Sequence, residues 1–193
     1  RAFYLMRTGH PGPVLLEIPS DIASAELEDS LNIYRPVEPN RAAGDPRDVE
    51  KVAEALIHAS RPVIQAGQGV LYAEATDELK ELSEILSAPV MTTLAGKSAF
   101  PENHPLSLGA GGHTTTRAVV HFLREADLIF GIGSSMTLTS FGARIPSDKT
   151  IVHSTNDERD INKDYTADYA ILGDSKLVLQ QLIEAVKQRS PKT

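Results

Sequence analysis

Arg61-Pro62-Val63-Ile64-Gln65-Ala66-Gly67-Gln68-Gly69 has the pattern of a strand that runs into a glycine turn. Arg61-Pro62 breaks whatever precedes it, because proline has no amide hydrogen for a helix. Val63 to Ala66 is a short apolar run and reads as a strand. Gly67-Gln68-Gly69 then turns the chain into a helix, with Ala75, Leu79, Leu82 and Leu86 on one face. A strand, a glycine turn and a helix form one unit of an alternating α/β architecture.

Working outward, the unit repeats. Upstream, Asp45-Pro46-Arg47-Asp48 has an N-cap acid, proline at the first helical position and an acid in the first turn. Val49, Val52, Ala53, Leu56 and Ile57 follow with helical spacing. Downstream, residues 89–94 read as a strand and residues 95–112 as a loop. Ala118, Val119, Phe122 and Leu123 mark a helix. Residues 127–132 are a strand ending at Gly133, and residues 149–153 are another. A short polar helix or turn is expected over residues 157–163. Residues 169–172 are a strand, and Val178, Leu182, Ala185 and Val186 mark a closing helix. Strands that read as continuous apolar runs are buried on both faces. The expected fold is therefore α/β: a doubly wound parallel sheet with helices on both faces, Rossmann-like.

The first 44 residues have a different texture. Ala2, Leu5 and Met6 share a helical face that Gly9 would stop, and Val14 to Ile18 reads as a strand ended by Pro19. Between residues 20 and 44 Asp, Glu, Ser, Pro and Asn dominate, with scattered Leu31, Ile33 and Tyr34. So long a stretch reads as an interdomain linker. The expected organisation is a tail of a preceding domain over 1–19, a linker over 20–44 and a Rossmann-like domain over 45–193. Opening on Arg1 rather than Met, the chain reads as a segment of a longer one.

Composition narrows the function. There are 193 residues, 19 Lys and Arg against 26 Asp and Glu, a net charge of −7, and no cysteine. Without cysteine there is no disulfide, thiol nucleophile or thiolate metal site. No basic stripe with interleaved aromatics exists, so nucleic acid is not an expected partner. No apolar run approaches the roughly 18–20 residues of a membrane span. A cytoplasmic location is expected.

Chemical motifs are incomplete. A dinucleotide fingerprint after the first strand needs a third glycine at Tyr72, and an acid where Thr92, Thr93 and Leu94 stand. Gly96-Lys97-Ser98 lacks the glycine five residues earlier, where Met91 is, and Pro101 stops the helix a P-loop requires. The six histidines form no metal-ligand spacing, and Ser134 and Ser135 lack the pattern of a nucleophile elbow. Asp157, Glu158, Asp160 and Asp164 interleave with Arg159 and Lys163, which describes a solvated face. No catalytic residue and no metal ligand is assigned.

Several segments taken together carry a resemblance. Gly12-Pro13-Val14-Leu15-Leu16-Glu17-Ile18-Pro19-Ser20-Asp21 resembles the closing strand of the pyrimidine-binding domain of thiamine diphosphate enzymes of the acetolactate synthase type. Residues 61–69 resemble the first strand and turn of their middle domain. Residues 92–97 with Phe100-Pro101-Glu102-Asn103-His104-Pro105 resemble the next strand and its loop. Residues 126–133 and 171–174 resemble later strand ends. The order matches over nearly the whole chain.

The resemblance implies that thiamine diphosphate and Mg²⁺ are bound outside this segment, by the two outer domains at a subunit interface. The other domains of the same enzyme, and further copies of it, are then the partners. It implies a decarboxylase or carboligase, a lyase or transferase, with the segment inactive alone. The middle domain of such enzymes holds FAD or ADP in some members. Carried over by position, the nucleotide-contacting residues would be Gly67, Gly69, Thr93, Leu94, Gly112, Gly133, Ser134, Asn156 and Asp174. The sequence departs from the FAD-binding pattern. Ser134-Ser135-Met136-Thr137-Leu138-Thr139 stands where an arginine and acids are usual, and Thr155 where the ribose-binding acid is usual. A middle domain serving structure is the leading expectation, and a stand-alone FAD- or ADP-binding module the alternative.

Overall fold

A computed structural model describes residues 1–28, 35–112 and 115–189. The chain divides into two compact units, Arg1–Arg41 and Ala42–Thr193.

The first unit contains two single-turn helices, α1 (Ala2–Leu5) and α2 (Ser20–Ala23). The strand expected over Val14 to Ile18 does not form: these residues are irregular, and Leu15 is 95% exposed. A strand exists only through a ladder to a neighbour, and no strand lies beside this segment among the described residues. Leu31, Ile33 and Tyr34 lie outside the described residues.

The second unit starts with α3 (Pro46–His58), capped by the Asp45 carboxylate, which accepts from the Arg47 amide. Its next elements are β1 (Pro62–Ala66), α4 (Gln68–Tyr72), α5 (Thr76–Leu86), β2 (Val90–Thr92) and β3 (Ser107–Ala110). Then come α6 (Arg117–Glu125), β4 (Leu128–Ile132), β5 (Thr150–Thr155), β6 (Tyr169–Leu172) and α7 (Ser175–Arg189). All six strands are parallel, in the order β3-β2-β1-β4-β5-β6. The sheet therefore grows outward in both directions from β1 and β4, as the doubly wound expectation requires.

Register explains the double burial. Ile64, Phe130 and Val152 form one row across β1, β4 and β5. They face the larger core, with Leu56 of α3, Leu79 and Leu82 of α5 and Leu182 of α7. One residue earlier, Val63, Ile129 and Ile151 form the row on the opposite face, with Val119 and Leu123 of α6, Met136 and Ile145. Among the described residues α6 is the one helix in that second core, and the irregular segment carrying Met136 and Ile145 completes its cover.

Two expectations for the second unit are corrected as well. The loop over 95–112 contains β3, an edge strand of Ser, Leu, Gly and Ala. Its composition carries no strand propensity; the ladder to β2 makes it a strand, with Val90 opposite Ser107 and Thr92 opposite Ala110. The helix expected to run from the 67–69 turn is two helices. Glu74 takes a left-handed φ of 54°, which ends α4, and Ala75 starts α5. The short polar element over 157–163 is a 3₁₀ turn, Glu158–Asp160, capped by the Asp157 carboxylate.

Candidate functional site

The order of the sheet reverses between β1 and β4. In open parallel sheets the crevice beyond the strand ends at that point is where ligands sit. Here the backbones of the turns after β1 and β4 meet. The Gly67 amide donates to the Ile132 carbonyl at 2.9 Å, and the Gly69 amide donates to the Gly133 carbonyl at 2.8 Å. A Cβ on Gly67 would stand 2.6 Å from the Ser134 Cα, and one on Gly69 would stand 2.7 Å from the Gly133 Cα. On the other side, a Cβ on Gly96 would stand 2.6 Å from the Ala66 carbonyl oxygen. Three strand-end turns thus close on one another, and glycine is what permits it. Gly133 also needs its left-handed φ of 60°.

This packing bears on phosphate recognition. A phosphate at a glycine turn is held by free amide N–H groups at the helix start. The Gly69 amide is already committed to Gly133, and the Val70 amide to the Gly67 carbonyl at 3.2 Å. Helix α4 has only five residues. These two amides are therefore not free to hold a phosphate.

The other expected contact residues disperse. Thr93 closes its own turn: its amide donates to the Ala66 carbonyl, and its hydroxyl accepts from the Gly96 amide at 3.0 Å. Leu94, 53% exposed, lies against Gly112, which forms an isolated bridge to Gly142. Ser134 uses its hydroxyl to accept from the Met136 amide at 3.1 Å. Asn156 is exposed after β5. The Asp174 carboxylate accepts from the Lys176 and Leu177 amides and so caps the start of α7. Strand β6, which leads to it, lies three strand spacings from β1, about 14 Å. The structure joins Gly67, Gly69, Gly133 and Ser134, pairs Leu94 with Gly112, and leaves Asn156 and Asp174 apart.

Beneath the closed turns lies a buried polar layer that no motif indicated. Gln65 of β1, Gly131 of β4 and His153 of β5 share one row and one face. Met136 lies over Gly131, in the space a side chain there would need. His153 is 1% exposed, and its Nε2 is 2.7 Å from the Ser134 carbonyl oxygen. A carbonyl only accepts, so this nitrogen carries the hydrogen. Burial holds the His153 imidazole below its ordinary pKa, against the Ser134 carbonyl and the Asp160 charge, which favour the proton. Gln65 Oε1 and, on the opposite face, Ser154 Oγ are buried without hydrogen-bond partners among the described residues. Gln65 was visible in sequence as the one polar residue of its strand; His153 was not distinguishable from the other histidines.

No group of three or more His, Asp or Glu side chains able to hold a metal ion is found among the described residues. Among the described residues no helix is long and apolar enough to cross a membrane.

A doubly wound parallel domain with a packed switch point is the class this geometry defines. Its family follows from comparison with known proteins. Residues 49–182 match the thiamine pyrophosphate enzyme central domain. The chain is 35% identical to a probable acetolactate synthase large subunit of Methanocaldococcus jannaschii, over 96% of its own length and 32% of that protein. It is 36% identical to the glyoxylate carboligase of Escherichia coli O157:H7, over 97% of its own length and 32% of that protein. Among solved structures it superposes on benzoylformate decarboxylase from Polynucleobacter necessarius. The TM-score is 0.79 at 24% identity, covering 98% of this chain and 36% of the other, a likeness of fold. The chain belongs to the thiamine pyrophosphate enzymes, as their central domain, and it spans about a third of the length of these curated relatives.

Proposed function

We propose that this chain is the middle portion of a thiamine pyrophosphate-dependent enzyme that decarboxylates a 2-oxo acid and then ligates or releases the remaining fragment, in the manner of acetolactate synthase. The observation that carries the reading is likeness to acetolactate synthase large subunits along nearly the whole chain, at about a third identity. In this reading residues 1–19 close a preceding domain, 20–44 link, and 45–193 form the middle domain. The thiamine diphosphate and Mg²⁺ are held by flanking portions. The cofactor supplies the carbanion chemistry, and the protein supplies position. The whole enzyme is cytoplasmic and assembles from identical subunits. The middle domain contributes a rigid connection.

The test is expression of the full reading frame and assay with pyruvate, glyoxylate and benzoylformate, with thiamine diphosphate and Mg²⁺ present. Turnover of at least one is expected, with the 193-residue chain inert under the same conditions. Absence of turnover with all three, or turnover by the short chain, rejects the reading.

The closed turns also favour a middle domain that works without a nucleotide. Calorimetry with FAD and with ADP is expected to give no saturable binding at micromolar concentrations. Tight binding of either would restore the strand-end glycines as a cofactor site.

A further inference from the structure

A second concavity lies on the face covered by α6 and reaches Gly112, just beyond the end of β3. Its volume is about 320 Å³, and it opens between α6 and the segment 142–146. This is the lower end of the size range of small-molecule sites, roughly 300–1,000 Å³. Leu123, Ala143 and Pro146 supply apolar wall, and Arg124 and Arg144 are the charged side chains that line it. Both arginines are exposed.

Charge is what distinguishes this place. The protein carries a net charge of −7, and many of its cations are paired. Arg47 pairs with Asp45, Arg61 with Glu125, Arg159 with Asp157, and Arg189 with Glu50. Neither Arg124 nor Arg144 has an acidic partner among the described residues, and no carboxylate lines the concavity. Arg117 stands seven residues before Arg124, on the same face of α6, and extends the positive field. Two guanidinium groups on one small cavity repel each other until an anion lies between them. Guanidinium forks bind carboxylate and phosphate oxygens through paired, charge-assisted hydrogen bonds.

We propose that the concavity between α6 and segment 142–146 binds a small organic anion, its phosphate or carboxylate held by Arg124 and Arg144 and its apolar body resting on Leu123, Ala143 and Pro146. Of the expected nucleotide-contact residues Gly112 lines this concavity, and Gly67 and Gly133 do not. It does not depend on the proposed enzymatic activity.

The test is titration of the ¹⁵N-labelled chain with phenyl phosphate, benzoate and, as an uncharged control, benzyl alcohol, followed by amide chemical shifts. Saturable shifts are expected at residues 120–124 and 142–146 with an anion and not with the alcohol. Tighter binding of phenyl phosphate assigns a phosphate ligand, and tighter binding of benzoate a carboxylate. The double variant R124Q/R144Q should bind at least about tenfold more weakly, because losing even one charge-assisted hydrogen bond corresponds to that factor. Circular dichroism checks that it keeps the native fold. Should that variant not fold, salt decides on the native chain: raising it from about 0.05 M to about 0.5 M should weaken binding several-fold. Three results would overturn the proposal: no saturable shift with either anion up to about 10 mM, equal shifts with benzyl alcohol, or affinity indifferent both to the arginines and to salt.

Discussion

The amide of Gly69 donates to the carbonyl of Gly133 at 2.8 Å, so the turn after β1 is hydrogen-bonded to the turn after β4. This contact extends the β1–β4 ladder beyond the strand ends, at the place where the strand order diverges. Gly67 reinforces it by lying against the Ser134 Cα, with no space for a side chain.

Replacing Gly67 by alanine should therefore be costly. The atoms the new methyl would meet are backbone atoms of Gly133 and Ser134, which cannot rotate aside. A loss of about 1–3 kcal/mol or more is expected, the range for forced overpacking with backbone displacement. Urea denaturation checks this. Gly12→Ala is the control, because nothing lies within 4 Å of the added atom; its effect should stay within about 0.5 kcal/mol.

His153 makes stability depend on mild acid. Burial lowers its pKa in the folded state below the ordinary 6.5, so the unfolded chain takes up the proton first. Its contribution is fully present above pH 6.5 and is lost as the pH falls from there through the depressed folded value. The melting temperature should drop across that window. In His153→Asn the drop should be smaller, and an unchanged pH profile would show that the imidazole is not its source.

Asp127 joins the end of α3 to the start of β4. Its carboxylate accepts from the Ser60 amide at 2.6 Å and the Arg61 amide at 2.9 Å. Burial raises its pKa, but the backbone hydrogen bonds and Arg61 more than offset this, and the net shift is downward from 3.8. Its contribution is thus present above pH 3.8 and is lost as the pH falls through the lower folded value. Asp127→Ala should cost about 1 kcal/mol at neutral pH, modest because water can reach the released amides. Chemical denaturation at pH 7 measures it.

Thr116 caps α6 and also holds β3. Its hydroxyl accepts from the Val119 amide at 3.3 Å and donates to the Leu108 carbonyl at 3.2 Å. Thr116→Ala should cost about 1 kcal/mol, and Thr116→Ser should recover most of it. Hydrogen exchange should locate the loss in α6 and β3; protection reduced evenly across the sheet would contradict a local role.

Most of the second unit was legible from residue order. Asp45-Pro46 announced a helix start, and the apolar runs at Val63 and Ile129 announced strands buried on both faces. Strand β3 was not legible. Ser107 and Gly109 have no preference for a strand, and the edge of β2 recruits them by register. The break at Glu74 was hidden as well, because the apolar spacing of Ala75, Leu79 and Leu82 continues past it. Val14 to Ile18 erred in the other direction: its apolar run is strand-like, but pairing is a property of two segments and not of one.

The candidate site divides along the same line. That glycines stand at the strand ends was readable, and so was the absence of a complete nucleotide fingerprint. Family membership was carried by ordered sequence segments. Whether Gly67 and Gly69 face a ligand or Gly133 is not written in any local pattern, because Gly133 lies far from them in sequence. The polar row of Gln65 and His153 and the cavity between Arg124 and Arg144 arise in the same way, from residues brought together by strand register and helix packing. By itself the sequence determined the alternation of strand and helix and the kinship, since these depend on local spacing and on order. The tertiary structure alone decided which glycines touch, which charges lack a partner and where space remains, because those depend on distances between segments the chain brings together only on folding.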